Sequence, residues 1–134
     1  MPDKILLIED DQELGSQIVE SLKKAGFDPT WWRAGRHIEP LHLQGLVLVI
    51  LDLMLPTTYG LDILKQLRAR QSHAQLVVVV LTSDAEETTS AEVLQAGANA
   101  HCTKPIAPST LLKKLQELGV PATLVSGCPG GDRP

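Results

Sequence analysis

Side chains that could do chemistry directly follow four of the apolar runs in this chain. They comprise three carboxylates, one hydroxyl and one ammonium group, at Glu9, Asp10, Asp52, Thr82 and Lys104. Carboxylates that cluster repel one another, and burying them without a partner is costly. A divalent cation removes this cost, and Mg²⁺ in particular takes oxygen ligands in octahedral geometry. If the fold brings these groups together, their types predict a magnesium site.

The same groups also suit the binding of a phosphoryl group. Mg²⁺, the Lys104 ammonium and the Thr82 hydroxyl together form an anion receptor suited to phosphoryl oxygens. Asp52 follows a buried apolar run and is placed to be a nucleophile that becomes an aspartyl phosphate. The residue types therefore indicate phosphoryl transfer to Asp52 with Mg²⁺ as the cofactor.

Five short apolar runs indicate the strands that must position these groups. The runs are Lys4–Ile8, a weak Thr30–Arg33, Leu46–Leu51, Leu76–Leu81 and Ala98–Thr103. The first, third and fourth are almost continuous in Ile, Leu and Val, as in strands that are buried on both faces. Between the runs, apolar residues repeat at helical spacing over residues 14–25, 61–68, 91–98 and 111–118. Residues 35–45 are the poorest helix candidate, because Pro40 allows only a short turn there.

The alternation of strands and helices predicts a doubly wound α/β fold. We expect a five-stranded parallel sheet of order 2-1-3-4-5 with helices on both faces, as in flavodoxin-like proteins. Ligands of such sheets bind beyond the carboxyl ends of the strands, where the strand order reverses. Strands one and three are neighbours at that reversal, so Glu9, Asp10 and Asp52 are expected in one crevice. The hydroxyl and the ammonium group follow strands four and five at the same edge.

Size and composition fit one domain. The chain has 134 residues, of which 43% are hydrophobic and 21% charged, with 12 basic residues against 16 acidic ones. This acidic balance argues against direct binding to nucleic acid. The longest apolar runs are far short of the ~20 residues that span a membrane. We expect a cytoplasmic protein with a phosphoacceptor domain over residues 1–119 and a largely flexible Pro/Gly-rich tail over residues 120–134.

Several short motifs resemble the receiver domain of two-component response regulators. In chain order they are ILLIEDD at residues 5–11, VILDLMLP at 49–56, VLTS at 80–83, AGA at 96–98 and TKPI at 103–106. The resemblance covers about residues 3–118. Each motif alone is weakly specific, whereas all of them in order are strongly specific.

The resemblance implies a role for each acidic residue. Asp52 would accept the phosphoryl group from the phosphohistidine of a sensor histidine kinase or a phosphotransfer protein. The side chains of Asp10 and Asp52 and the backbone carbonyl of Met54 would ligate Mg²⁺ directly. Glu9 would act mainly through metal-bound water.

The resemblance also implies a switch. Lys104 would pair with the phosphoryl group, and its bond to Pro105 would be cis. Thr82 would turn its hydroxyl toward the phosphoryl oxygens and pull its loop inward. In the family this movement turns an aromatic ring inward, three residues before the lysine, where this chain has His101. The ring couples the site to the output surface, which we define as strand five with the helices before and after it, about residues 86–118.

His101 is the clearest departure from the family pattern. An imidazole is smaller than a Tyr or Phe ring, and its charge changes in the physiological pH range. We therefore hypothesise that coupling to the output surface is weaker here, or pH-dependent. The alternative is an exposed histidine without a switching role.

Other positions have structural interpretations. Asp11 is interpreted as the cap of the first helix or as a residue that faces solvent. Trp31 and Trp32 are adjacent in a strand, so they must point to opposite faces, one in the core and the other partly exposed. Asn99 replaces an acidic residue of the family. Ala107 replaces an Asp cap, so the last helix is expected to begin less firmly.

These features together predict a single-domain response regulator that controls a partner protein, or a second copy of itself, through the output surface. It would catalyse only its own phosphorylation and slow autodephosphorylation, with no membrane contact. A phosphorylation-independent pseudo-receiver stays open because of His101. A haloacid-dehalogenase-like hydrolase would have a second Asp two residues after Asp52, where this chain has Met54. A dinucleotide-binding domain would have a glycine fingerprint after the first strand, and this chain has carboxylates there.

Overall fold

Strands and helices alternate in the computed structural model, which describes residues 4–34, 45–53, 60–69, 76–82, 87–104 and 106–118. The strands are β1 (Lys4–Ile8), β2 (Asp28–Trp32), β3 (Leu46–Asp52), β4 (Val77–Thr82) and β5 (Ala100–Thr103). The helices are α1 (Gln12–Lys24), α2 (Gly60–Arg68), α3 (Glu87–Gln95) and α4 (Pro108–Glu117). The strands form one parallel sheet in the order β2-β1-β3-β4-β5. This confirms the predicted doubly wound fold.

Four strands differ slightly from their predicted bounds, and β3 extends one residue further than predicted, to Asp52. β4 is shifted by one residue, to Val77–Thr82. β2 begins two residues early, at Asp28, and includes Pro29, which is tolerated because β2 lies at the edge of the sheet. β5 begins two residues late, at Ala100, because Ala98 still belongs to the turn that follows α3.

The apolar stripe predicted for the third helix is wrong. The prediction made Ala91, Leu94 and Ala98 its repeating residues. In the structure Val93 is buried, whereas Leu94 is 46% exposed, and the helix ends before Ala98. Gly97 adopts a φ of +114°, which turns the chain out of the helix toward β5.

Each face of the sheet carries its own aliphatic layer. On one face, strand residues such as Leu6, Ile8, Val49, Leu51, Val78 and Val80 join Leu61, Ile63, Leu64 and Leu67 of α2 and Val93 of α3. On the other face, Ile5, Leu7, Leu48, Ile50, Val79 and Leu81 join Ile18 and Leu22 of α1 and Leu111 and Leu115 of α4. Both faces of the inner strands are therefore buried, which explains their continuous apolar sequences.

The ends of two helices follow the predicted signals. The Asp11 side chain accepts hydrogen bonds from the backbone N–H groups of Glu13 and Leu14, at 3.0 and 3.2 Å, and caps α1. α4 begins after Ala107 without a side-chain cap.

No helix in the described part of the chain is long and apolar enough to cross a lipid bilayer.

The turn before β5 is fastened by side chains. Asn99 Oδ1 accepts hydrogen bonds from the backbone N–H of Val78 and from Arg68 Nη2, both at 2.8 Å. Arg68 Nε also donates to the Gly97 carbonyl at 2.8 Å. The C-terminal end of α2 is thus bound to the start of β5.

Two sequence predictions fall largely outside the described residues. They are the short turn expected within residues 35–45, of which only Gly45 is described, and the tail over residues 120–134. The domain bounds 1–119 stay a prediction.

Candidate functional site

Four predicted site residues lie at the carboxyl edge of the sheet. Glu9 follows β1, Asp52 and Thr82 end β3 and β4, and Lys104 follows β5. Glu9, Asp52 and Thr82 are buried, with 0%, 2% and 1% of their surface exposed. The parallel register of neighbouring strands places these side chains at one edge, as the strand order predicted.

Lys104 contacts two of the acidic side chains. Its Nζ lies 3.1 Å from Asp52 Oδ2 and 2.9 and 3.0 Å from the two carboxylate oxygens of Glu9. Its backbone N–H donates to the Thr82 carbonyl at 2.7 Å. The ammonium group therefore reaches over β4 and holds the carboxylates that follow β1 and β3.

Three carboxylates converge at the same place. One oxygen each from Glu9, Asp10 and Asp52 lies within 4.8 Å of the others. Asp10 is exposed, whereas Glu9 and Asp52 are buried. The cluster therefore has a buried base and one side open to solvent.

The pKa values in this cluster follow from burial and from crowding of like charge. Burial, then the hydrogen bond and charge of Glu9 and a hydrogen bond with Asp10, raise the pKa of Asp52 from its ordinary 3.8 to about 7. The charge of Lys104 acts in the opposite direction. Burial by itself would lower the pKa of Lys104, but its contacts with Glu9 and Asp52 outweigh burial and raise that pKa. Lys104 therefore stays charged.

The donor set fits a hard divalent cation. Glu9 Oε1 is buried and has no hydrogen-bond donor among the residues that the structure describes. The Lys104 ammonium forms an ion pair with it at 2.9 Å, and a carboxylate oxygen has lone pairs for a further partner. Within the described ranges, the Lys104 ammonium is the cation beside these three carboxylates, which leaves negative charge that a divalent cation would offset. Carboxylate oxygens are the ligands that Mg²⁺ prefers.

Asp11 has a different role from its two acidic neighbours. Its backbone N–H donates to Glu9 Oε2 at 3.1 Å, and its side chain caps α1. It does not belong to the described group of converging carboxylates. The predicted capping role of Asp11 is confirmed.

Two site contacts were missed by the sequence analysis. The indole N–H of Trp31 donates to the Glu9 carbonyl at 2.9 Å. The backbone N–H of Gly60 donates to the Leu53 carbonyl at 2.7 Å, and a Cβ on Gly60 would lie 2.5 Å from the Asp52 carbonyl oxygen. A glycine at the start of a helical stripe is a signal for such a close approach.

His101 lies on β5, opposite Val80 in the neighbouring strand, and is half-buried. Cys102, the next residue, packs into the layer formed with α1 and α4, so His101 points to the other face of the sheet. Its role as a switch stays a prediction. The Met54 carbonyl and the bond between Lys104 and Pro105 involve residues outside the described ranges.

Comparison with known proteins places this architecture in a family. Residues 5–116 match the model of the response regulator receiver domain. The chain belongs to this family. Receiver domains of two-component signalling use a phosphoaspartate and Mg²⁺, which agrees with the acidic cluster.

Curated relatives of this receiver domain are longer proteins. RegX3 of Mycolicibacterium smegmatis, a sensory transduction protein, is 33% identical over 84% of this chain and 48% of its own length. QseB of Escherichia coli O157:H7, a transcriptional regulatory protein, is 35% identical over 86% of this chain and 52% of its own length. The chain therefore spans about half the length of these relatives.

Solved structures show the same receiver fold. The chemotaxis response regulator CheY4 of Vibrio cholerae has a TM-score of 0.80 and 24% identity, over 88% of this chain and 99% of its own. The BeF3-activated N-terminal receiver domain of RstA from Klebsiella pneumoniae has a TM-score of 0.74 and 32% identity, over 85% of this chain and 96% of its own.

Proposed function

We propose that this receiver domain accepts a phosphoryl group on Asp52 from the phosphohistidine of a sensor histidine kinase or a phosphotransfer protein. The observation that carries the proposal is the contact of Lys104 Nζ with Asp52 and Glu9, at 3.1 and 2.9 Å. A phosphoryl acceptor needs a fixed cation beside the nucleophile to receive the charge of the incoming oxygens. Membership of the receiver family supports the same assignment.

In the proposed step a carboxylate oxygen of Asp52 attacks the phosphorus atom of the donor. A P–O bond forms as the P–N bond to the donor imidazole breaks, and the imidazole leaves with the electron pair of that bond. Asp52 must be ionised to attack, and the charge of Lys104 favours its ionised form. The Lys104 ammonium then pairs with a phosphoryl oxygen, and the Thr82 hydroxyl donates to another.

Glu9, Asp10 and Asp52 are the residues that would hold Mg²⁺, with the Met54 carbonyl as a further ligand. When bound, Mg²⁺ supplies positive charge that offsets both the acidic cluster and the transferred phosphoryl group. The position of the ion would be set by the chain's own residues, because Glu9 and Asp52 are buried and are held by Lys104.

We further propose that phosphorylation acts through the output surface, which comprises α3, β5 and α4. A phosphoryl group adds about −1.5 to −2 charges at neutral pH, and Lys104 carries this change to the end of β5. The occupant of the surface would be a separate partner protein or a second copy of this chain, in the cytoplasm. We propose that the domain turns over no other substrate, beyond slow release of its own phosphoryl group.

The decisive experiment is incubation of the chain with acetyl phosphate and Mg²⁺, followed by intact-protein mass spectrometry. The expected result is one phosphoryl group per chain, labile to hydroxylamine, absent when EDTA replaces Mg²⁺ and absent in Asp52→Asn. Asp62→Asn, an exposed carboxylate on α2, is the matched control and should be phosphorylated like the wild type.

Two outcomes would contradict the proposal. Folded protein that gains no phosphoryl group from acetyl phosphate or from a phosphohistidine donor would favour the pseudo-receiver. Sustained turnover of unrelated phosphoesters would favour a hydrolase.

A further inference from the structure

Trp31 lies against helix α1 in a space that a glycine leaves open. A Cβ atom on Gly15 would lie 2.5 Å from Cε2 of the Trp31 indole and 2.8 Å from its Cη2. Such distances are too short for real carbon atoms, so no larger residue fits without displacing the ring. Glycine is a poor residue for the interior of a helix. The glycine in α1 is therefore explained by the space that it leaves for the indole of Trp31.

The seated indole is held on other sides as well. The Arg33 guanidinium lies 5.6 Å from the centre of the Trp31 ring, within the range of a cation–π contact. Arg33 Nη2 in turn donates to Gln12 Oε1 in the first turn of α1, at 3.1 Å. The ring is thus fixed between the helix and the end of β2.

Both backbone polar groups of Glu9 bind this pair of tryptophans. The Trp31 indole N–H donates to the Glu9 carbonyl at 2.9 Å, and the Glu9 N–H donates to the Trp32 carbonyl at 3.0 Å. These bonds set the direction in which the chain leaves β1. Glu9 and Asp10 lie on this same short segment, and their carboxylates are two of the three that converge.

We propose that Trp31 is a positioning residue of the metal site, whose indole N–H, seated against Gly15, holds the Glu9–Asp10 segment so that its carboxylates converge on Asp52. Trp31 acts through the Glu9 carbonyl, in the way that hydrogen-bonded supports orient the ligands of other metal sites. This inference rests on the proposed function, since it takes the acidic cluster to bind Mg²⁺.

The first test compares two conservative variants by Mg²⁺ titration calorimetry on the full chain, without phosphodonor. Trp31→Phe keeps an aromatic ring and removes the N–H, and should weaken Mg²⁺ binding about three- to tenfold. Trp32→Phe leaves the backbone carbonyl that Glu9 uses, and should bind Mg²⁺ within about twofold of the wild type. An unchanged dissociation constant in Trp31→Phe, or an equal loss in both variants, would overturn the proposal.

The second test displaces the Trp31 ring by a substitution in helix α1, which contacts it. Gly15→Ala improves helix propensity, so a purely structural role of this contact predicts no weaker Mg²⁺ binding. A positioning role predicts weaker binding, because the new Cβ displaces the indole. In the double variant with Trp31→Phe the two losses should be less than additive, since both act through one contact. Wild-type affinity in folded Gly15→Ala would overturn the proposal.

The third readout is spectroscopic and independent of activity. The chain has two tryptophans, so Trp32→Phe leaves Trp31 as the sole tryptophan and Trp31→Phe leaves Trp32. Mg²⁺ should change the emission of the Trp31-only protein with the dissociation constant measured by calorimetry. It should change that of the Trp32-only protein much less, and the reverse ranking would count against the proposal.

The proposed function and this inference can fail separately. Wild-type protein that binds Mg²⁺ but takes no phosphoryl group, with weaker binding in Trp31→Phe, would overturn the function and support the role of Trp31. Phosphorylation on Asp52 with an unchanged Mg²⁺ affinity in Trp31→Phe would overturn the inference alone. Wild-type protein that binds no Mg²⁺ would overturn both.

Discussion

Lys104 Nζ lies 3.1 Å from Asp52 Oδ2, although β4 lies between β3, which ends at Asp52, and β5, which Lys104 follows. Neighbouring strands are about 4.8 Å apart, so only a long side chain reaches from β5 to β3. The same amine contacts Glu9 after β1. One cation at the edge of the sheet therefore serves two buried acids at its centre.

Removal of this amine should destabilise the fold. Lys104→Met should lower the free energy of unfolding by about 1–3 kcal/mol, because it leaves buried carboxylates without their cation. The loss is kept moderate because the Lys104 side chain is 20% exposed. Urea unfolding in EDTA measures it, with Lys65→Met, an exposed position on α2, as control. Mg²⁺ should stabilise Lys104→Met more than the wild type, and equal stabilities of the two lysine variants would contradict this expectation.

The stability of the metal-free protein should fall as pH rises. The pKa of Asp52 is about 7 when folded against an ordinary 3.8, so between these values the folded state binds the proton more tightly. Stability is lost as pH rises through about 7. Asp52→Asn should remove this dependence and be more stable than the wild type at high pH, by at most ~4 kcal/mol. Urea unfolding of both proteins in EDTA, from below pH 3.8 to above about pH 7, checks this expectation. Parallel pH profiles of the free energy of unfolding in the two proteins would contradict it.

Mg²⁺ binding should strengthen as pH rises through about 7. A ligating carboxylate must be ionised, and the pKa of Asp52 lies near 7. Below that pH the apparent affinity should fall by up to ~tenfold for each further pH unit. Calorimetry in two buffers of different ionisation enthalpy should also detect the released proton. A pH-independent dissociation constant would show that Asp52 is already ionised in the folded protein.

The turn before β5 offers a test of a departure from the family pattern. Asn99→Ala removes an acceptor of bonds from Val78 and Arg68, and should lower the free energy of unfolding by about 1–2 kcal/mol. Asn99→Asp restores an acidic residue at this position, keeps the acceptor oxygen, and should match or exceed the stability of the wild type. Gln116→Ala, an exposed residue of α4, is the control in urea unfolding. A larger loss in Asn99→Asp than in Asn99→Ala would contradict this account.

Much of the fold was predictable because buried parallel strands differ from helices in sequence pattern. β3 is unbroken in Leu, Val and Ile up to its final Asp52, and a short apolar run of this kind is typical of a strand that is buried on both faces. α3 was placed poorly because its first turn contains Thr88, Thr89 and Ser90, which are weak helix formers. Val93 of this helix is buried because it packs against the sheet. Helix propensity does not predict which residue makes that contact.

The site was predictable to the extent that strand order determines it. Glu9, Asp52 and Lys104 each end or follow a strand, so a correct order brings them to one edge. The Trp31 contact depends on the position of α1 over β2, which no local pattern specifies. Its one sequence signal is Gly15, a glycine inside an otherwise regular amphipathic helix.

β5 is fastened at its two ends by bonds of different kinds. At its start, the neutral Asn99 amide oxygen bonds to Val78 and Arg68, and just beyond its end the Lys104 ammonium is held by carboxylates. Only the second fastening responds to a change of charge on Asp52. We therefore expect a change of charge on Asp52 to act first at the end of β5 beside Lys104, while the Asn99 contacts hold its start.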